Sequence, residues 1–298
     1  MKIDKYTALK KQIAEYTKQD VIIAFSGGVD SSLLLKLACS AAKEYGTKVY
    51  AVTVKTRLHP AGDIEIAQRV AEEAGAVHKV LRIDELEEAG IKNNPKDRCY
   101  RCKKSIFAQI KNLAESLGVL SILEGTNEND LHEYRPGIKA LKELGIISPL
   151  ADNRITKEEV RVLAAELKIS TADRPSMPCL ATRLPYGTMI HYELLKRIEE
   201  GEKFIHRLGY YNVRLRIHGN IARIEVDESE IPKLIGERKE ITAKIKKLGF
   251  PYVTLDLAGF RSGSMDLFDE DKQKNFPGNI DTAIDEKEPS IDISKISE

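Results

Sequence analysis

One stretch limits what this chain can fold into more than any other: Val21-Ile22-Ile23-Ala24-Phe25-Ser26-Gly27-Gly28-Val29-Asp30-Ser31-Ser32. An apolar run of strand character meets Ser-Gly-Gly, and a helical pattern (Leu33-Leu34-Leu35-Lys36-Leu37-Ala38) begins at once. Gly27 and Gly28 reach backbone conformations closed to other residues and let a ligand come close to the main chain. Asp30, Ser31 and Ser32 stand where the helix begins, and their side chains suit capping. Main-chain N–H groups and the positive end of the helix dipole then face the space above the turn, a cradle for phosphate. The closing Gly-Lys-Ser/Thr of a Walker A loop is absent, as is the third glycine of the dinucleotide fingerprint.

The elements around this stretch predict the fold. An amphipathic helix over 5–18 leads into a first strand, Val21 to Phe25, whose helix runs to about Tyr45. Lys48 to Val54 reads as strand two, Asp63 to Ala74 as a helix ended by Gly75, and His78 to Ile83 as strand three. A helix to Leu117, a strand from Ser121 to Glu124 and a fifth strand at Ile146 to Leu150 follow. Thr156-Lys157-Glu158-Glu159 is a capping box opening a helix to Leu167. Such alternation predicts an α/β fold, a parallel sheet covered by helices on both faces. Ligands bind such sheets at the carboxyl ends of the strands. The Ser-Gly-Gly loop lies at one such end, Thr53 at another as an adenosine contact, and Gly125 and Thr126 at a third. Arg135 reaches a phosphate or stays a solvated surface arginine.

From His191 the pattern changes to helix, hairpin (Asn212 to Ile217, then Ile221 to Val226), helix (Glu230 to Leu248) and a last strand, Tyr252 to Leu257. This predicts a smaller C-terminal α+β domain. The expected division is 1–175, 176–262 and an acidic, flexible tail over 263–298.

Among the 298 residues no apolar run is long enough to span a membrane, and the N-terminus does not read as a signal peptide, so the cytoplasm is the expected compartment. Net charge is +1, but the tail from Gly263 carries ten Asp/Glu against four Lys, so the rest of the chain stands at +7. That sign suits a small anionic partner such as a nucleotide; it is too mild and too poor in clustered aromatics for nucleic acid.

Of four cysteines, Cys39 lies on an apolar helix face and reads as a buried thiol. Cys99 and Cys102 form Cys-x-x-Cys at a helix start among Arg98, Arg101, Lys103 and Lys104, a setting that favours thiolates. Cys179 lies in a long irregular segment holding three prolines. The residues alone leave three readings open. One is a zinc site completed by Cys179 and a histidine such as His59, His78 or His132. The others are a redox pair and three ligands of an iron–sulfur cluster whose open iron takes an external sulfide.

The loop S-G-G-V-D-S-S resembles the signature of the PP-loop ATP pyrophosphatases, the adenine nucleotide alpha hydrolase-like fold. Taken with R-C-Y-R-C-K (Arg98 to Lys103), E-G-T-N (Glu124 to Asn127), P-C-L-A-T-R-L-P-Y-G (Pro178 to Gly187) and R-L-R-I-H-G-N-I-A-R-I-E-V (Arg214 to Val226), it resembles the LarE sulfur transferases up to about Arg261. The resemblance implies ATP held by Ser26, Gly27, Gly28, Val29, Asp30, Ser31 and Ser32, with Asp30 orienting Mg2+, although capping alone also explains Asp30. It implies adenylation of a carboxylate of a pyridinium biscarboxylic acid mononucleotide, then displacement of AMP by sulfur to give a thiocarboxylate. Members with only the cysteine matching Cys179 sacrifice its sulfur. Members with all three, as here, are expected to hold a 4Fe–4S cluster on Cys99, Cys102 and Cys179 that passes on sulfide from a donor; zinc is the runner-up. Arg214 and Arg216, two apart on a strand, match a pair that grips the substrate phosphate, with a solvated hairpin face as the alternative. Glu202 and Glu225 match carboxylates near the acceptor or a metal. A homo-oligomer is expected.

Three other readings remain: a PP-loop tRNA thiolase, an ammonia-using ligase of the NAD or GMP synthetase type, and a nucleotide-binding regulator with structural zinc. A thiolase needs a basic, aromatic RNA surface. The ligase needs no cysteines, and the regulator binds ATP without releasing pyrophosphate.

Overall fold

The structure, a computed structural model, describes residues 2–59, 62–133, 135–173, 178–261 and 263–265. Apart from 263–265, the expected flexible tail lies outside the described residues. Met1–Arg261 forms one compact unit.

Helix α1 (Lys2–Tyr16) leads into β1 (Val21–Ala24), and α2 (Val29–Tyr45) leaves the glycine loop directly. Then come β2 (Val49–Lys55), α3 (Asp63–Ala74), β3 (Val77–Arg82), the single turn α4 (Glu85–Glu88), α5 (Arg98–Leu117) and β4 (Ser121–Leu123). The four strands are parallel in the order β3-β2-β1-β4, with β1 between β2 and β4. Alternation along β1 and β2 decides which face each residue covers. Val21, Ile23, Val49 and Ala51 pack with α1, α2, α3 and, later in the chain, α8 (Lys157–Glu166). Ile22, Tyr50 and Val52 pack on the other face with Phe107 and Ile110 of α5 and Leu141 of α6 (Gly137–Glu143). Both faces are covered, as the apolar strands predict. β3 is the exception: an edge strand, most of whose residues are exposed.

The expected fifth strand shrinks to one parallel bridge, Ile147 to Leu123. Pro149 has no N–H for a ladder and its fixed φ suits a helix start, so the chain turns into α7 (Pro149–Asp152). The capping box of α8 forms in full: Glu159 N–H donates to Thr156 Oγ1 (3.2 Å) and Thr156 N–H to Glu159 Oε2 (2.9 Å).

The C-terminal part is a three-stranded sheet, β5 (Val213–His218), β6 (Ile221–Val226) and β7 (Tyr252–Leu255), packed on α9 (Tyr192–Arg207). β5 and β6 make the expected hairpin, turning at Gly219 with φ 57°. β7 runs parallel to β6 after a crossover. The crossover is not the single helix expected over Glu230–Leu248. It breaks at Glu237 into α10 (Ile231–Gly236) and α11 (Arg238–Lys247), beside Gly236, a poor helix former.

Candidate active site

The carboxyl ends of β1, β2 and β4 open into a cavity of about 780 Å³. Its lining includes the glycine loop and Cys99, Cys102 and Cys179.

At the loop, Gly27 has φ 72° and a Cβ there would stand 3.3 Å from Ala67, so the turn requires glycine. Gly28 is the N-cap of α2, and no side chain caps that helix. The expectation that Asp30, Ser31 and Ser32 cap it is therefore corrected. Ser31 Oγ turns back onto the Gly28 carbonyl (3.1 Å), and Ser32 is buried. Asp30 faces the cavity: Oδ1 accepts from Asn127 Nδ2 (3.1 Å), and Oδ2 pairs closely with Lys157 Nζ at the first turn of α8. Sequence reasoning missed Lys157. Its signal was its place just after Thr156 in the capping box, but that motif says nothing of a partner at Asp30.

Around the loop, Gly125 backs directly onto α2; a Cβ there would be 3.0 Å from Ser31 N and 3.1 Å from Asp30 Cβ. Glu124, buried, accepts from Thr126 N–H (2.9 Å) and Ser148 Oγ (2.5 Å) and so holds the β4 end in shape. Thr53 lines the cavity, but its hydroxyl is hydrogen-bonded to His78 Nε2 (2.8 Å), and burial lowers the His78 pKa. Arg135 is at the rim, paired with Asp130 (2.9 Å) and Glu133 (3.1 Å). Gly125→Ala is expected to weaken ATP binding about tenfold by pushing the start of α2 outward, as read by nucleotide titration.

Cys99 and Cys102 stand in the first turns of α5, and Cys179 precedes a 3-10 turn, Leu180–Arg183. Main-chain bonds hold that segment to the loops of the first sheet: Leu180 N–H to Leu58 O (2.7 Å), Gly187 N–H to Asn94 O (3.0 Å) and Ile190 N–H to Lys92 O (2.7 Å). Burial pushes the Cys102 thiol up to about 12, with Cys179 adding to it, and Cys39 up to about 11. Burial also raises Cys179, against the pull of Arg98. In metal-free protein at about pH 8, these values leave Cys39 and Cys102 with roughly a thousandth of their thiolate or less. Iodoacetamide is therefore expected to modify exposed Cys99 first and to spare Cys39 and Cys102, as read by peptide mass mapping.

Among the described residues, no three His, Cys, Asp or Glu side chains come together as a set able to hold a metal ion. His78 is engaged by Thr53, His59 by Thr56 (3.0 Å) and His132 by Glu128 (3.1 Å), so none completes a zinc site as it stands. Cys99, Cys102 and Cys179 do line the same cavity, and thiols are the donors that an iron–sulfur group takes, so these three are the residues that would hold one.

Arg214, Arg216, Glu202 and Glu225 do not line this cavity. They lie behind the Cys179 turn and are buried, in contrast to the alternative of a solvated face. Arg216 donates to Thr182 O (2.8 Å) and Glu225 Oε2 (3.1 Å). Glu225 also takes Arg223 (3.0 Å). Glu202 accepts Leu215 N–H (2.8 Å) and a two-pronged grip from Arg183 (2.8 and 2.9 Å). Sequence reasoning also missed Arg183, which has no exposure at all; its signal was a lone arginine in Leu180-Ala181-Thr182-Arg183-Leu184. Burial, and after it the neighbouring Arg183 charge, lower Arg214 to about 10.

The PP-loop domain family matches residues 1–135. An uncharacterised protein of Synechocystis is 38% identical over 82% of this chain and 91% of its own length. The pyridinium-3,5-bisthiocarboxylic acid mononucleotide synthase of Lactiplantibacillus plantarum is 37% identical over 83% of this chain and 89% of its own. An uncharacterised protein of Methanocaldococcus jannaschii is 36% identical over 87% and 98%. No described helix is long and apolar enough to cross a membrane. Likeness of this extent places the chain, with its glycine loop and its three thiols on one cavity, in the LarE family of PP-loop, ATP-dependent sulfur transferases.

Proposed function

We propose that the enzyme uses ATP to activate a carboxylate of pyridinium-3,5-biscarboxylic acid mononucleotide and replaces its oxygen with sulfur. The observation that carries this reading is one cavity lined by both the phosphate loop and three thiols. Ser26 to Ser32 hold the pyrophosphate end of ATP, and Asp30 carries Mg2+. Once Mg2+ took over the Asp30 carboxylate, Lys157, which sits beside it, would be released to bind a phosphate oxygen. Thr53, Gly125, Thr126 and Arg135 contact the remainder of the nucleotide. The substrate carboxylate attacks the α-phosphorus and pyrophosphate leaves. Sulfur then adds to the acyl carbon and AMP departs, a far better leaving group than oxide.

In this reading Arg214 and Arg216 draw the substrate phosphate toward the Cys179 turn, and Glu202 and Glu225 keep the arginine cluster in place. Residues 1–175 perform adenylation and contribute Cys99 and Cys102, and 176–262 hold the acceptor and contribute Cys179. Cys99, Cys102 and Cys179 hold a 4Fe–4S cluster, which when bound supplies sulfide from a donor. A homo-oligomer is part of the proposal and is read by light scattering. The test is anaerobic incubation of enzyme first loaded with iron and sulfide, with Mg2+, ATP, sulfide and the mononucleotide. Pyrophosphate release together with a product heavier by one oxygen-to-sulfur exchange supports the reading. ATP turnover without any sulfur in the product sinks it.

A further inference from the structure

Arg98 opens α5 and is 4% exposed. Its Nη1 donates to Asn94 Oδ1 in a very close contact and to Ala181 O (3.2 Å), and its Nη2 faces Cys99 Sγ at 3.9 Å. The Tyr186 ring lies 5.9 Å away. Every one of these partners is uncharged. The nearest acid in sequence, Asp97, is exposed and taken by Arg101 (2.7 Å). Among the described residues no carboxylate pairs with Arg98. Elsewhere, Arg183 has Glu202, and Arg216 and Arg223 share Glu225.

A guanidinium does not shed its proton to escape burial. A buried cation without an opposite charge is strongly unfavourable, so such a group is retained where an anion faces it. The groups able to become anionic beside Arg98 are sulfurs. Cys99 adjoins it, and the Ala181 carbonyl that it grips belongs to the turn that carries Cys179. Asn94 holds it there. The Asn94 side chain is fully buried, and its Nδ2 donates to Leu184 O (3.2 Å) and Pro185 O (2.7 Å), so the guanidinium is fixed between α5 and the Cys179 turn.

We infer that Arg98 is the fixed counter-ion for anionic sulfur on the cysteine wall: it balances the negative charge of a three-thiolate iron–sulfur group and of any sulfide on its open iron. Three thiolates outweigh the oxidised cubane core by one negative charge, and a bound hydrosulfide adds another. Neither belongs in an apolar pocket without a cation. Arg98 is thus a positioning residue, acting on the ligand set and not on the substrate. The inference rests on reading Cys99, Cys102 and Cys179 as cluster ligands.

The test compares full-length wild type, Arg98→Lys and Arg98→Gln after anaerobic loading with iron and sulfide. The readouts are iron and acid-labile sulfide per chain, iron loss to a chelator, and the reduction potential of the cluster. Thermal melting checks that each variant is folded. Arg98→Gln removes the charge and keeps an amide able to donate; Arg98→Lys keeps the charge and loses the fork. Expected are about tenfold faster iron loss and a more negative potential for Arg98→Gln, with Arg98→Lys close to wild type in potential. A purely structural role predicts the reverse order, Gln retaining the cluster better than Lys, and that result overturns the inference. Equal loading and equal potential in all three proteins overturns it too, while leaving the cluster standing. A folded wild type that takes up no iron overturns the cluster reading, and this inference with it.

Discussion

Cys179→Ala is expected to lower thiocarboxylate formation about a thousandfold or more while pyrophosphate release continues. In the proposed reading the two halves of the reaction use different residues of one cavity. Activation of the carboxylate in that reading belongs to the loop at Ser26–Ser32 with Asp30, which takes both Lys157 and Asn127. Sulfur delivery in that reading belongs to the cysteines. Without Cys179 the acyl-adenylate still forms, finds no sulfur and is consumed by water, so ATP is spent in a futile cycle. Following pyrophosphate and product mass in the same tube separates the steps. Wild-type product yield in the variant would remove Cys179 from the chemistry; loss of both signals would make it a folding residue. Cys39→Ala, on the apolar face of α2, is the matched control and leaves both signals near wild type.

The largest stability effect is expected at Arg183. Arg183→Met strips the buried Glu202 carboxylate of the guanidinium that grips both its oxygens, leaving a desolvated charge that keeps the hydrogen bond from Leu215 N–H. Breaking one side of such a pair costs about 3–5 kcal/mol, far more than the pair contributes relative to a neutral replacement. Arg183→Met with Glu202→Gln should recover most of the loss, because the amide oxygen still accepts from Leu215 N–H and carries no charge. Denaturant midpoints of the single and double variants give the comparison. A single-variant loss below about 1 kcal/mol would mean that the pair is reached by water. Arg183 also donates to the carbonyls of Pro178 and Cys179, so the turn carrying the thiol is expected to loosen with it.

What is legible in the chain and what is not follow a physical divide. The strand–loop–helix unit is legible because hydrophobic period and glycine placement act locally, and the structure forms β1 and α2 as they predict. The hairpin is legible for the same reason: alternation on both sides of Gly219 leaves little choice of turn. Ile146–Leu150 misleads because its apolar run resembles a strand, while Pro149 decides where the ladder stops. The capping roles expected of Asp30, Ser31 and Ser32 fail for a different reason. Asp30 has a stronger partner in Lys157, well over a hundred residues along the chain, and no local pattern announces such a pairing. Arg98 and Arg183 share that difficulty. An arginine in sequence reads as surface by default, and only the packed fold shows that one has a carboxylate and the other a pair of neutral oxygens and a sulfur.

The Cys179 segment is held to the loops beneath it by main-chain groups at Leu180, Gly187 and Ile190, and from behind by Arg183 on the carbonyls of Pro178 and Cys179. None of these contacts uses the Cys179 side chain. The address of the residue is therefore set largely by main-chain bonds, so a replacement of similar size at this position alters the reagent and keeps those bonds. A lineage can abandon one way of supplying sulfur and adopt another by changing a few side chains on a fixed frame. An engineer can use the same freedom to install selenocysteine or a non-natural nucleophile at 179 with little risk to folding.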